Sequence, residues 1–244
     1  MKSGAKENPD AVPDKDRAEN GKAFRPKVGP VPVTDFIFYF VKLYTWIFFP
    51  IFFQFRVHGK RHIPLDTGAL IASNHQSYMD PVFIGAAGRR RTGYIARKTL
   101  FKEGGFFTRL IKILGAIPLS IDSSGKEGVR LAVEHLRRRE HILMFPEGTR
   151  TRDGSIGDLQ PGVKLIAQKA NVPIVPAALH GVYEIWPRSR KLLGFGPVSV
   201  AFGKPIRPEQ LRKMKSGEFC AYLKKRIECL YEKLDREKAR RPSL

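Results

Sequence analysis

Two residues near the start of the second quarter of the chain are able to do acid–base chemistry together. His75 and Asp80 stand five positions apart in Asn74-His75-Gln76-Ser77-Tyr78-Met79-Asp80-Pro81, directly after the apolar run Ala69-Leu70-Ile71-Ala72. A histidine titrates near neutral pH, and a carboxylate beside it fixes its tautomer and raises its basicity. On a straight helix five residues turn about 500°, so the side chains would diverge by about 140°. They meet only if the segment between them is a turn. Ser73 and Asn74 look like the end of a strand, and Asp80-Pro81 looks like an N-cap followed by proline at the first helical position. His75 is then expected in a loop at a strand's carboxyl end, where open α/β sheets place their sites. The plainer alternative makes Asp80 only a cap and His75 a surface residue.

A second chemistry-bearing stretch is Phe145-Pro146-Glu147-Gly148-Thr149-Arg150, which follows the apolar run Ile142-Leu143-Met144. A strand enters a glycine turn that carries a carboxylate, a hydroxyl and a guanidinium. Main-chain amides near Gly148 and the Arg150 fork suit a phosphate or carboxylate. The alternative is a polar loop in which Glu147 pairs with Arg150. Basic residues also cluster at Arg89-Arg90-Arg91 and at Arg97-Lys98. They read either as a solvated face or as a phosphate site one strand after the histidine loop. The two prolines of Val172-Pro173-Ile174-Val175-Pro176 point to an edge strand or a strand terminus, because proline cannot donate to a central ladder.

The elements that must position these groups follow from the hydropathy pattern. Short apolar runs at 57–58, 70–73, 94–96, 117–119, 142–145, 174–178 and 198–202 read as strands. Val129, Ala132, Val133 and Leu136, and then Val163, Ile166, Ala167 and Ala170, recur at helical spacing. Strands alternating with helices predict an α/β fold, a largely parallel mixed sheet covered by helices. The stretch 218–240 carries Phe219, Leu223, Ile227, Leu230 and Leu234 on one stripe of an amphipathic helix. Residues 1–30 are polar and proline-bearing and read as a disordered tail without a secretory signal. Residues 31–55 read as a membrane-associated aromatic helical segment, and 56–240 as the catalytic domain. The aromatic run 36–55 approaches spanning length. Lys42, Pro50 and aromatics spread along its whole length favour a helix lying in the membrane interface, with a bent second part after Pro50, over a single spanning anchor or a buried core helix.

Composition adds a strong bias. Against 23 Asp and Glu stand 44 Lys and Arg, a net charge of +21, which draws polyanions: nucleic acid, anionic lipid or phosphorylated substrates. The two cysteines, Cys220 and Cys229, lie nine apart in a helical pattern, about half a turn out of phase, and read as reduced thiols on the cytoplasmic side of a membrane. The six histidines show no metal-ligand spacing, so no metal is expected.

Taken in order, these stretches resemble the glycerolipid acyltransferase family, specifically the 1-acylglycerol-3-phosphate acyltransferases, from about residue 57 to 203. His75 and Asp80 match its His-x4-Asp block, 145–150 its Phe-Pro-Glu-Gly-Thr-Arg block, and 172–176 its Val-Pro-Ile-Val-Pro block. The remaining block, Gly115-Ala116-Ile117-Pro118-Leu119-Ser120-Ile121-Asp122, is partial: an arginine usual near its end is replaced by Ile121 or Ser123. Arg97 and Lys98, or Arg130, are possible substitutes. The resemblance implies a glycerol-3-phosphate acyltransferase-like fold and direct acyl transfer from an acyl thioester to the sn-2 hydroxyl of a lysophosphatidate. His75 is the implied general base and Asp80 its orienting carboxylate, with Glu147, Gly148, Thr149 and Arg150 around the acceptor phosphate and its glycerol. It implies acyl-CoA or an acyl carrier protein as co-substrate, no bound cofactor, and a membrane lipid partner. No Gly-x-Ser-x-Gly elbow is present, in keeping with direct transfer. Two alternatives remain: the same chemistry on glycerol 3-phosphate or a lyso-aminolipid, and a non-enzymatic polyanion binder. No recognisable nucleic-acid motif supports the latter.

Overall fold

The computed structural model describes residues 33–90, 92–97, 116–119, 126–187, 189–190 and 192–240. The polar tail 1–30, Lys98, Arg91 and most of the partial block around 115–122 lie outside the described residues. Helix α1 (Val33–Phe53) precedes β1 (Arg56–His58), a 3-10 turn (Lys60–His62) and β2 (Ala69–Ser73). Then come α2 (Asp80–Ala87), β3 (Thr92–Arg97), β4 (Ala116–Leu119), α3 (Lys126–Arg137) and β5 (His141–Met144). The chain continues through α4 (Gly162–Ala170), β6 (Ile174–His180), α5 (Val182–Ile185), β7 (Ser199–Phe202), α6 (Pro208–Lys213) and α7 (Ser216–Ala239).

Each apolar run read as a strand is one. The seven described strands form one sheet in the order β1-β7-β6-β2-β5-β3-β4. Every pairing is parallel except that of β6 with β7. Central strands β2 and β6 are buried along their whole length. That burial explains their near-continuous apolar sequence, since helices cover both faces of a parallel sheet. Alternate residues divide between two cores. Leu70, Ala72, Ile142, Ile174 and Ala178 face α3, α4 and α7, where Leu136, Ile166, Phe219, Leu223 and Ile227 meet them. Ala69, Ile71, Leu143, Val175, Ala177 and Leu179 face the other way, onto Phe49 and Phe53 of α1 and Phe83 and Ile84 of α2.

The proline-bearing block departs from its edge-strand reading. β6 lies third in the sheet, between β7 and β2. Pro173 precedes the strand, and the Pro176 carbonyl accepts from Gly203 N at 2.8 Å. Within a strand a residue's N–H and C=O point to the same side. The missing N–H of Pro176 therefore faces the β7 side at the end of the paired ladder, which covers Ala177 to His180, so the proline removes only a terminal bond and leaves the pairing with β2 in place. Pro118 stands on β4, a true edge strand, as the rule predicts.

Helix α1 runs through Pro50 to Phe53 as one element. Thr45, Phe49 and Phe53, four residues apart, form a buried stripe. The Phe83 ring of α2 receives Phe49 at 4.7 Å, Phe53 at 5.3 Å and Phe55 at 5.4 Å between centroids. The opposite side of α1 is bare: Phe40, Leu43, Trp46 and Ile51 are all more than half exposed. Neither a fully buried core helix nor a wholly detached one describes it. Among the described residues, no helix is long and apolar enough to cross a membrane.

At the carboxyl end of β6, His180 donates from Nε2 to Asp235 Oδ1 of α7 at 3.0 Å and lies 4.8 Å from the Tyr231 ring. Burial lowers its pKa below the ordinary 6.5, against the opposing pull of Glu184 and Asp235. A depressed folded-state pKa gives stability that is present above the unfolded value and is lost as pH falls through the folded one. Urea unfolding at about pH 7.5 and about pH 5 is expected to show a smaller loss of stability on acidification in His180→Gln than in the parent; equal losses would discount the linkage. Phe83→Ala is expected to cost about 3–5 kcal/mol. Its second signature is faster proteolysis of α1, and a variant as stable as the parent would remove Phe83 as the helix anchor.

Candidate active site

Strands β2, β5, β3 and β6 run in one direction, so their carboxyl ends share one edge of the sheet. At that edge Asn74 prolongs β2 with its side chain. Its Oδ1 accepts from Leu179 N at 2.8 Å and its Nδ2 donates to Leu179 O at 3.0 Å, reproducing one more rung of the ladder to β6. The main chain is thereby released from the sheet at His75. On the far side of β6, Gly181 (φ 89°) turns the chain into α5; a Cβ there would lie 2.0 Å from Pro197 O.

The loop folds back as the spacing requires. His75 Nδ1 donates to Asp80 Oδ2 at 2.7 Å. The same oxygen accepts the main-chain amides of Gln76 at 2.6 Å and Ser77 at 2.8 Å. Asp80 is fully buried, while the His75 side chain is 20% exposed. The N-cap reading of Asp80 is corrected by one position: Met79 is the N-cap and Asp80 the first helical residue. Its carboxylate binds amides that precede it instead of capping the turn that follows. With Nδ1 committed to Asp80, Nε2 is the ring nitrogen left for a substrate proton. The ring lies on Phe145, with centroids 3.9 Å apart and planes 11° apart, which restricts it to one plane.

The second loop grips the first by its main chain. His75 N donates to Glu147 Oε1 at 2.8 Å, and His75 O accepts from Thr151 N at 2.8 Å. The other Glu147 oxygen accepts Gly157 N at 3.0 Å. Burial pushes the Glu147 carboxyl up, against the pull of those two amides and of His75. Both oxygens accept main-chain donors, so Glu147 ties the two loops together. It does not pair with Arg150. The Arg150 guanidinium lies over the Tyr78 ring, 3.5 Å from its centroid, a stacking worth about 0.5–2 kcal/mol.

Other expected groups fall as follows. Gly148 takes the left-handed conformation (φ 72°), and its amide donates to Phe145 O at 3.1 Å, committed to the turn. Gly148 and Thr149 are exposed at the rim. Arg97 ends β3 opposite Leu119, which brings its backbone to the same sheet edge. Arg130 pairs with Glu134 on the surface of α3, and Arg90 donates to Leu65 O; neither joins the histidine. Sequence reasoning missed Phe145 as the ring's platform, Tyr78 as the support of Arg150, and the Gln76 contact to Tyr231 of α7 at 3.5 Å. Tyr78 had a visible signal, an aromatic inside the histidine–aspartate loop. The Gly157 and Leu179 contacts had none, because main-chain donors leave no trace in residue type.

Comparison with known proteins places the chain. The profile of the family described as Acyltransferase matches residues 54–180. The 1-acyl-sn-glycerol-3-phosphate acyltransferase of Bacillus subtilis is 30% identical over 186 residues, 74% of this chain and 89% of that protein. The chloroplastic enzyme LPAT1 of Arabidopsis thaliana is 31% identical over 176 residues, 69% of this chain. The match spans only about half, 48%, of that plant protein's length. Among solved structures, the LPA acyltransferase PlsC of Thermotoga maritima superposes with a TM-score of 0.69 at 24% identity, over 86% of this chain and 83% of that one, and shares its fold. With the His75–Asp80 pair and the Phe145–Arg150 loop both inside the matched region, the chain belongs to the acyltransferase family.

Proposed function

We propose that this protein transfers a fatty acyl group from an acyl thioester to the free sn-2 hydroxyl of 1-acylglycerol 3-phosphate, giving phosphatidic acid. The observation that carries the reading is the 2.7 Å bond between His75 Nδ1 and Asp80 Oδ2, set in a loop whose main chain is held by the Phe-Pro-Glu-Gly-Thr-Arg segment. The names of the relatives matched over this region support the choice of acceptor.

In this mechanism His75 Nε2 removes the acceptor hydroxyl proton as that oxygen attacks the thioester carbonyl carbon. The tetrahedral intermediate collapses, the carbon–sulfur bond breaks, and the imidazolium returns its proton to the departing thiolate. The thiol of coenzyme A or of an acyl carrier protein leaves, and the enzyme is unchanged. Asp80 holds the ring's tautomer and lies beside the imidazolium charge when it forms. Arg150, presented flat on Tyr78 at the rim, meets the acceptor phosphate. The bare side of α1 lies in the membrane interface and brings the sheet edge to a lipid acceptor. The excess of cations strengthens that contact, by about 1 kcal/mol per Lys or Arg near an anionic surface.

The test is thiol release from detergent-purified protein given acyl thioester and lysophosphatidate. His75→Ala is expected to lose about 10²–10⁴ in kcat; full activity would end the proposed mechanism, and a parent inactive with both donor classes would end the proposed substrate. Asp80→Asn keeps an oxygen for the two amides but removes the charge facing His75. It is expected to fold and to lose kcat over about the same range, and an undiminished kcat would remove Asp80 from catalysis. Arg150→Lys is expected to raise KM for the acceptor about tenfold with a smaller change in kcat. Unchanged KM would place the phosphate elsewhere.

A further inference from the structure

We propose that the short 192–195 segment is a second membrane-contact element, which joins the bare side of α1 to form one seat for an anionic lipid bilayer beside the His75 edge. The proposal rests on the reading of the protein as an enzyme with a lipid acceptor. Leu192 is 79% exposed and Phe195 70%, the most exposed large apolar side chains of the described chain together with Trp46 at 77%. They lie more than a hundred residues from α1 in sequence but against it in space. Phe195 lies 5.4 Å from Phe52 and 6.1 Å from Phe53 between ring centroids.

The main chain locks the two together. Val198 N donates to Phe53 O at 2.8 Å and Gly196 N to Phe52 O at 3.4 Å, while Gly194 N donates to Ile185 O at 2.7 Å. The apolar tip is therefore held out by hydrogen bonds at its base. A large exposed apolar surface in two cooperating segments calls for a partner, and its surroundings point to a bilayer. Aromatic rings mixed with aliphatic side chains suit the interfacial zone. In sequence, three cations, Arg188, Arg190 and Lys191, immediately precede Leu192, the arrangement that an anionic lipid surface attracts. From this base the surface leads to the site: Trp186 lies 6.1 Å from Tyr78, which carries Arg150.

The experiment measures cosedimentation of the full chain with phosphatidylcholine vesicles, with and without phosphatidylglycerol, for the parent, Leu192→Glu and Ile51→Glu. Thiol release is measured alongside, with the acceptor dispersed in detergent. Leu192 is neither part of the His75–Asp80 pair nor assigned to the acceptor phosphate, and its 79% exposure lets unfolding curves exclude misfolding of the variant. The expected result is about tenfold weaker vesicle binding for both variants, the scale of one large apolar side chain withdrawn from lipid, with turnover in detergent unchanged. Parent-like vesicle binding by Leu192→Glu, with Ile51→Glu impaired, would overturn the second contact and leave the proposed function intact. Loss of turnover in the parent itself would overturn the proposed function instead. A parent that sediments as a dimer and a Leu192→Glu variant that sediments as a monomer would assign the surface to a second copy of the chain and overturn the inference.

Discussion

One oxygen of a buried carboxylate collects three donors. Asp80 Oδ2 holds the His75 ring, the Gln76 amide and the Ser77 amide within 2.6–2.8 Å. A carboxylate taken wholly out of water is costly unless it is well bonded, and this one is bonded to the segment it must shape. The loop cannot open without stripping the carboxylate of all three partners. Because Asp80 is also the first residue of α2, the loop is tied to the helix that carries Phe83 and, through Phe83, to α1. The base, the sheet edge and the aromatic helix form one mechanical unit.

The sheet supplies the other half of that unit. Parallel strands deliver their carboxyl ends together, so β2 brings His75 to the place where β5 brings Phe145 and Glu147. Neither loop would hold its shape alone. The first lends its main-chain N–H and C=O, and the second supplies Glu147 and the Thr151 amide to meet them. Glu147 is well suited to satisfy two amides on neighbouring loops. That assignment leaves Arg150 as the other charged group of the 145–150 stretch.

Much of this was legible in the sequence. The strands were readable because buried strands of a parallel sheet are short apolar runs bounded by turn residues. The stripe of Phe219, Leu223 and Ile227 was readable because a cover helix buries one face. The meeting of His75 with Asp80 followed once a turn was inferred between them. What stayed hidden depended on partners without side-chain identity. The block around Pro173 and Pro176 read as an edge or a strand terminus, and the internal place of β6 stayed hidden because where β7 ends is not encoded in residue types. The loop-tying contacts of Glu147 were unseen because its partners are amides 72 and 10 residues away. The half-buried state of α1 was likewise undecided, since an aromatic helix that is packed on one side and bare on the other has the same composition as one in lipid.

The side-chain rung at Asn74 has a consequence for how this loop tolerates change in length. β2 is paired with β6 as far as Ser73 opposite Ala177, and Asn74 then clasps Leu179. The upstream end of the loop is pinned there, and its downstream end is pinned where α2 starts at Asp80. Between those fixed points the path is held by the three bonds to Asp80. An insertion or deletion of a single residue would move the Gln76 and Ser77 amides off the carboxylate and turn the imidazole away from Phe145. The interval between histidine and aspartate is thus a fixed measure of chain, immune to the length variation that surface loops usually accept.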